Sequence, residues 1–294
     1  MSLRIVAVAA MDAAKLEAEV SAELGRVAPS RALGSVDGLV ALEWQLPGDQ
    51  DQAARLRTRL AERGHPVDTA VLPAASGRKR LLISDMDSTI IGQECLDELA
   101  DFAGLKAEVS AITERAMRGE LDFEGALTTR VAMLKGLGLD ALEQAYSERI
   151  TLNPGAKTLV ETMKADGAET VLVSGGFTYF TSRVAAAAGF HTHRGNTLVD
   201  DGKALTGEVG RPILGREAKL SALDEFAAAK GIGRDEVIAL GDGANDLAMI
   251  KASGLGIAYH AKPVVAAEAH ASIEHTDLRA ALFFQGYEAS EFHG

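Results

Sequence analysis

A single cysteine, Cys95, is all the chain carries, so no internal disulfide can form and the fold does not rest on an oxidising compartment. Basic side chains are also scarce: 30 Lys and Arg against 42 Asp and Glu leave a formal charge of −12. Nucleic-acid surfaces need clustered Lys and Arg, so that partner class is excluded. No stretch approaches the roughly 18 continuous apolar residues of a membrane helix, which excludes a spanning segment. There is no internal repeat, low-complexity tract or P-loop. Gly136-Leu-Gly138 lacks the remaining glycine of a dinucleotide fingerprint, so nucleotide binding is not indicated.

What is present reads as a soluble globular protein. Apolar residues make up 47% and charged residues 24% of 294, enough for full cores in two domains. The start places Arg4 ahead of an apolar run with Ala-x-Ala spacing, superficially a secretion leader. The run over 5–11 is short, however, and passes straight into a charged helical stretch over 12–26. It reads as a buried strand, and with the lone cysteine the expected location is cytoplasmic.

Patterning predicts strands at 3–9, 30–33, 39–46 and 67–72 and helices at 13–24 and 52–63, with the hairpin turn at Asp37-Gly38. That order, β-α-β-β-α-β, is ferredoxin-like. Small and basic residues in 73–80 mark a boundary, giving an expected first domain over 1–74 and a second over 75–294. In the second, short apolar runs at 81–84, 170–174, 237–240 and 254–258 alternate with helices, which predicts an α/β fold with a parallel sheet. A mainly helical insert over about 93–150 is placed to cap the carboxyl ends of those strands, where ligands bind.

Four segments carry chemistry. In Leu81-Leu-Ile-Ser-Asp85-Met-Asp87, two carboxylates follow a buried strand; one can attack while the other handles a proton if their environments differ. The bland alternative is a helix cap. Val171-Leu-Val-Ser174-Gly175-Gly176 offers a hydroxyl and exposed N–H groups to an anion, or is a plain turn. Lys219, at the start of a helix, is either a surface lysine or the fixed positive charge that a transferring phosphoryl group needs. Gly241-Asp242-Gly243-Ala244-Asn245-Asp246 is acidic and glycine-rich; Ala244 and Ala248 occupy positions a calcium loop fills with oxygen donors, which leaves Mg²⁺ or a simple capped turn. His191 and His193 share a strand face but have no acidic or thiol partner at ligand spacing. Cys95 has no local histidine to activate it and reads as a packed thiol.

Taken in order, acid pair, cap, hydroxyl turn, lysine and acidic cluster resemble the haloacid dehalogenase superfamily of aspartate-nucleophile phosphohydrolases over about 81–284. The cap, with Glu94, Thr113-Glu-Arg-Ala-Met117 and Phe123-Glu-Gly-Ala-Leu-Thr-Thr-Arg130, is most similar to that of the phosphoserine phosphatase family. The resemblance implies a Rossmann-like sheet with a helical cap, and hydrolysis of O-phospho-L-serine as the last step of L-serine formation. It implies Asp85 as nucleophile, Asp87 as acid and base, and Ser174, Gly175, Gly176, Lys219 and Asn245 around the phosphoryl group. Mg²⁺ would be held by Asp85, Asp242 and the backbone carbonyl of Asp87, with Asp246 behind them. Glu94 and Arg130 would take the substrate's ammonium and carboxylate, with Met117 and Phe123 packing around it; a carboxylate and a planar guanidinium suit those groups.

The first domain resembles an ACT-type regulatory module. That implies an amino-acid effector such as L-serine, and pairing with a second chain as a homodimer. Other readings stay open at this point: hydrolysis of phosphohomoserine or phosphothreonine, phosphotransfer to an alcohol, or an amino-acid sensor with a degenerate phosphatase half.

Overall fold

The computed structural model describes residues 2–61, 64–117 and 120–294, with the side chains of Ala116 and Met117 outside the described set. The chain begins β1 (Ser2–Ala9), α1 (Ala13–Glu23), β2 (Arg31–Val36), β3 (Leu39–Pro47), α2 (Gln50–Ala61) and β4 (Asp68–Pro73). The succession is the one patterning predicts; the expected end of the second helix, Arg63, lies outside the described residues. Asp12 caps α1 by accepting from Lys15 N at 2.9 Å. Asp37 and Gly38 both take positive φ, as a tight hairpin between β2 and β3 requires.

Because strand side chains alternate, β1 serves two cores. Leu3, Ile5 and Ala7 pack with Leu16, Val20 and Leu56 of the helices. Val6 and Val8 face the other way, into a core shared with the rest of the molecule.

There follow β5 (Leu81–Ser84), four cap helices α3 (Cys95–Phe102), α4 (Lys106–Met117), α5 (Phe123–Met133) and α6 (Asp140–Arg149), then α7 (Ala156–Ala165), β6 (Glu169–Phe177) and α8 (Thr178–Ala188). The chain continues through β7 (Thr192–Asn196), β8 (Leu198–Asp200), β9 (Leu205–Val209), α9 (Arg216–Lys230), β10 (Val237–Gly241), α10 (Leu247–Ala252), β11 (Leu255–Tyr259), α11 (Pro263–Glu268), β12 (Ala271–Ile273) and α12 (Ala280–Phe284). Strands β7-β6-β5-β10-β11-β12 lie side by side in parallel. The chain winds outward from β5 in one direction and from β10 in the other, so the crevice between their carboxyl ends is the topological switch point.

The sheet does not stop there. β4 meets β12 antiparallel at Ala70 and Ala271, extending the order through β1 and β3 to β2 in one ten-stranded sheet. Three features lay outside the expected pattern. β7 is polar and partly exposed, β12 has only three residues, and the β8–β9 hairpin reaches across to the cap, where Gly136 N and Leu139 N donate to Leu205 O and Lys203 O. Among the described residues no helix is long and apolar enough to cross a membrane.

Candidate active site

Every residue of β5 is buried, so its hydrophobic run ends where Asp85 enters the crevice. The neighbouring β10 ends at Gly241, delivering Asp242 beside it. Lys219, on the first turn of α9, is buried between them: its Nζ lies 2.8 Å from Asp85 Oδ2 and 2.5 Å from Asp246 Oδ1. Asp246 is completely buried, and its second oxygen accepts from Gly243 N at 3.0 Å. That close approach needs Gly241, because a Cβ there would sit 2.3 Å from Asp246 Cγ.

Oxygens of Asp85, Asp242 and Asp246 all lie within 4.8 Å of one another. One lysine does not neutralise three carboxylates. Burial first, then the charges of Asp85 and Asp246, push the Asp242 carboxyl up to about 7. Burial and Asp85 raise Asp246 to about 6. Burial alone would lower Lys219, yet Asp246 and Asp85 hold it above the ordinary lysine range, so it stays charged. A compact set of hard oxygen donors with surplus negative charge fits a small divalent cation.

Asp87 faces away from this cluster. Its Oδ1 accepts from Cys95 N at 3.1 Å and its Oδ2 from Ser174 Oγ at 3.4 Å. Ser174 Oγ in turn accepts from Gly176 N at 2.8 Å. Burial, followed by the charge of Asp85, raises Asp87 to about 6. Two carboxylates two residues apart therefore occupy different environments: Asp85 is ion-paired with Lys219, whereas Asp87, raised to about 6, gives up its proton closer to neutrality than an ordinary aspartate does.

The cap supplies the other wall. Ser88 Oγ donates to Glu94 Oε1 at 2.7 Å, and burial followed by the charge of Asp87 pushes Glu94 to about 8. Arg130 Nε donates to Ala126 O at 3.3 Å and Nη1 to Thr113 Oγ1 at 3.0 Å. Burial lowers the Arg130 guanidinium, while Asp97, Glu94 and Asp87 support its charge. Phe123, at the first turn of α5, lies over the glycine turn, where a Cβ on Gly175 would be 2.9 Å from its Cζ. A cavity of about 10 Å³ remains, lined by Phe123, Ser174, Gly175, Lys219 and Asn245.

The expected residues Asp85, Asp87, Ser174, Gly175, Gly176, Lys219, Asp242, Asn245 and Asp246 thus converge at one crevice, facing Glu94, Phe123 and Arg130 on the cap. Met117 ends α4, and its side chain is outside the described set. Two participants carried no readable signal of their own in the sequence. Asn196, ending β7, donates from Nδ2 to Gly175 O at 2.8 Å and accepts from Leu214 N at 2.7 Å. Thr89 Oγ1 donates to Asp242 Oδ1 at 3.4 Å. Thr113 was visible only as part of a motif. Elsewhere, His191 Nδ1 lies 3.2 Å from Thr170 Oγ1 and His193 Nδ1 2.9 Å from Thr181 Oγ1, each ring engaging a threonine. Cys95 is buried and free, and burial first of all pushes its thiol well up, which keeps it unreactive.

Comparison with known proteins gives concordant results. Residues 82–251 match the haloacid dehalogenase-like hydrolase family. A phosphoserine phosphatase of Archaeoglobus fulgidus is 42% identical over 244 residues, covering 82% of this chain and 71% of that protein. The crystal structure of a haloacid dehalogenase family hydrolase from Salmonella enterica serovar Typhi superposes with a TM-score of 0.86 at 31% identity, covering 96% of this chain and 98% of the other. A solved phospho-aspartyl intermediate analogue of phosphoserine phosphatase gives a TM-score of 0.66 at 40% identity, covering 70% and 99%.

Proposed function

The chain belongs to the haloacid dehalogenase-like hydrolases and, within them, to the phosphoserine phosphatases, and from that premise we propose that it hydrolyses O-phospho-L-serine through an aspartyl-phosphate on Asp85. The observation that carries the mechanism is the separation of the two carboxylates: Asp85 bonded to Lys219, and Asp87 turned towards Ser174.

In the first step an oxygen of Asp85 forms a bond to phosphorus as the bond to the serine oxygen breaks, and Asp87 gives that oxygen its proton. In the second, water attacks the same phosphorus, Asp87 takes its proton, and the bond to Asp85 breaks to release phosphate. Lys219, the Ser174 hydroxyl and the N–H groups of Gly175 and Gly176 hold the equatorial oxygens, and Asn245 positions the phosphate. Glu94 and Arg130 grip the ammonium and carboxylate, with Met117 and Phe123 packing around the substrate.

Asp85, Asp242 and the backbone carbonyl of Asp87 would hold Mg²⁺, with Asp246 behind them. When bound, the cation offsets negative charge on the phosphoryl oxygens. We place the enzyme in the cytoplasm, supported by its single, buried, free cysteine; export in a fractionation experiment would overturn that.

The deciding experiment is phosphate release from O-phospho-L-serine, phosphohomoserine, phosphothreonine and a small aryl phosphate, with and without Mg²⁺ and an alcohol acceptor. Preference for phosphoserine with free phosphate as product is expected. Asp85→Asn should fold normally and lose about 10⁴-fold or more in turnover. Retained turnover would remove Asp85 as the nucleophile.

For the N-terminal strands we propose a regulatory role, with an amino acid such as L-serine as effector and a second chain as pairing partner. Their βαββαβ order and the position of β2 as the last strand of the sheet support it. Sedimentation showing monomer alone would overturn the pairing.

A further inference from the structure

Three cap helices meet behind Arg130. On α3, Asp97 accepts from Ser110 Oγ at 3.0 Å through Oδ2, and its Oδ1 lies 3.4 Å from the Thr113 hydroxyl. Thr113 is buried on α4, with its hydroxyl also 3.1 Å from Val109 O, so its single proton has acceptors other than Arg130, which has none to offer. A lone pair is therefore turned towards α5, where Arg130 Nη1 donates to it at 3.0 Å. Ala126 O receives Nε at 3.3 Å. Of the five guanidinium N–H groups two are thereby spent within the cap, and among the described residues the other three have no hydrogen-bond acceptor, which leaves them for a carboxylate.

An arginine side chain otherwise has ample rotamer freedom, and a fork aligned in advance gives more selectivity than one that must be ordered on binding. We propose that Thr113, backed by Asp97, is a positioning residue that fixes the Arg130 guanidinium and so sets the enzyme's preference for phosphate esters bearing a carboxylate. Thr113 need not touch the substrate and contributes nothing to the phosphoryl chemistry beneath. The inference rests on the assignment of Arg130 to the substrate carboxylate.

The test compares Thr113→Val, Thr113→Ser and Arg130→Ala on O-phospho-L-serine and on a small aryl phosphate that has no carboxylate. Valine keeps the shape of threonine and removes the acceptor. Thr113→Val should raise KM for phosphoserine about tenfold, the loss expected when one charge-assisted hydrogen bond no longer holds its partner. Its kcat should stay within about twofold, with the aryl phosphate unchanged, and Thr113→Ser should restore the wild-type KM. An unchanged KM in Thr113→Val, equal loss on both substrates, or failure of serine to rescue overturns the positioning role. Arg130→Ala separates the two levels: if it impairs both substrates equally the carboxylate assignment itself fails, whereas a selective loss in Arg130→Ala without one in Thr113→Val sinks only the role of Thr113.

Discussion

Asp242 and Asp246 are held at about 7 and about 6 chiefly by burial, with Asp85 adding repulsion, and this makes the cation site sensitive to protons. Both values lie above the ordinary aspartate range near 4, so between roughly pH 4 and 7 the folded state holds more protons than the unfolded one. In the metal-free protein their contribution to stability therefore falls as pH rises through that window, and levels off above it. A cation needs the deprotonated forms, so it competes with protons below pH 7 and acts without competition above. Melting curves with and without Mg²⁺ should show a small stabilisation at pH 5 and a larger one at pH 8, about 2.7 kcal/mol at a hundredfold excess over Kd. Equal shifts at the two pH values would mean that these carboxylates do not bind the ion. At this scale the sequence was readable where chemistry imposes unusual composition, as in Asp85-x-Asp87 and Asp242 to Asp246. It was silent where one polar residue acts through geometry: Asn196 ties the Gly175 turn to the segment leading into α9, and nothing about an asparagine after a glycine announces that.

Strands that are buried on both faces declared themselves, because β5, β10 and β11 are continuous apolar runs closed by Asp, Gly or Tyr. The edge strand β7, Thr-His-Arg-Gly-Asn, packs against only one neighbour and has no such run. The β8–β9 hairpin did carry a signal, the Asp200-Asp-Gly202-Lys turn between Leu-Val and Leu-Thr, of the kind that joins short strands. Its value lies in what it touches. Its backbone bonds to 136–139 tie the core to the cap, and Arg211, just beyond it, pairs with Glu124 on α5. Phe123 covers Gly175 on the same side, and the cavity lined by Phe123, Ser174, Gly175, Lys219 and Asn245 measures about 10 Å³, roughly the room one water needs. Surface ion pairs such as Arg211 with Glu124 contribute little to stability, so the backbone bonds of the hairpin are the firmer part of this junction.

At the scale of the whole molecule, the segment over 73–80 that reads as a domain boundary is seated against the fold. Lys79 is buried, its Nζ donating to Asp235 O at 2.8 Å and its backbone N to Gln285 Oε1 at 3.0 Å. Val6, Val8 and Leu72 share one core with Leu282, Phe283 and Phe284 of α12, and Arg4 donates to Phe284 O at 2.9 Å. Composition could not foretell this, since small and basic residues look alike whether docked or free. The most concentrated junction is Asp68 at the start of β4. Its buried carboxylate accepts from Glu274 N and Thr276 N at 2.8 Å, His275 N at 3.2 Å and Thr276 Oγ1 at 2.6 Å, clamping the turn after β12 to the N-terminal strands. Asp68→Ala would leave those donors without an acceptor in a site too enclosed for easy hydration. The cost should be about 3 to 5 kcal/mol. For a chain of this size that corresponds to a melting point lower by about 6 to 10 °C. Because one sheet and one core span both parts, the wild-type protein should unfold in a single calorimetric transition, and the variant should separate an earlier loss of the N-terminal strands from later melting of the phosphatase core. An unchanged midpoint would show that the two parts are held together elsewhere. Early melting with full phosphatase activity would show that the N-terminal strands are not needed to keep the crevice in shape.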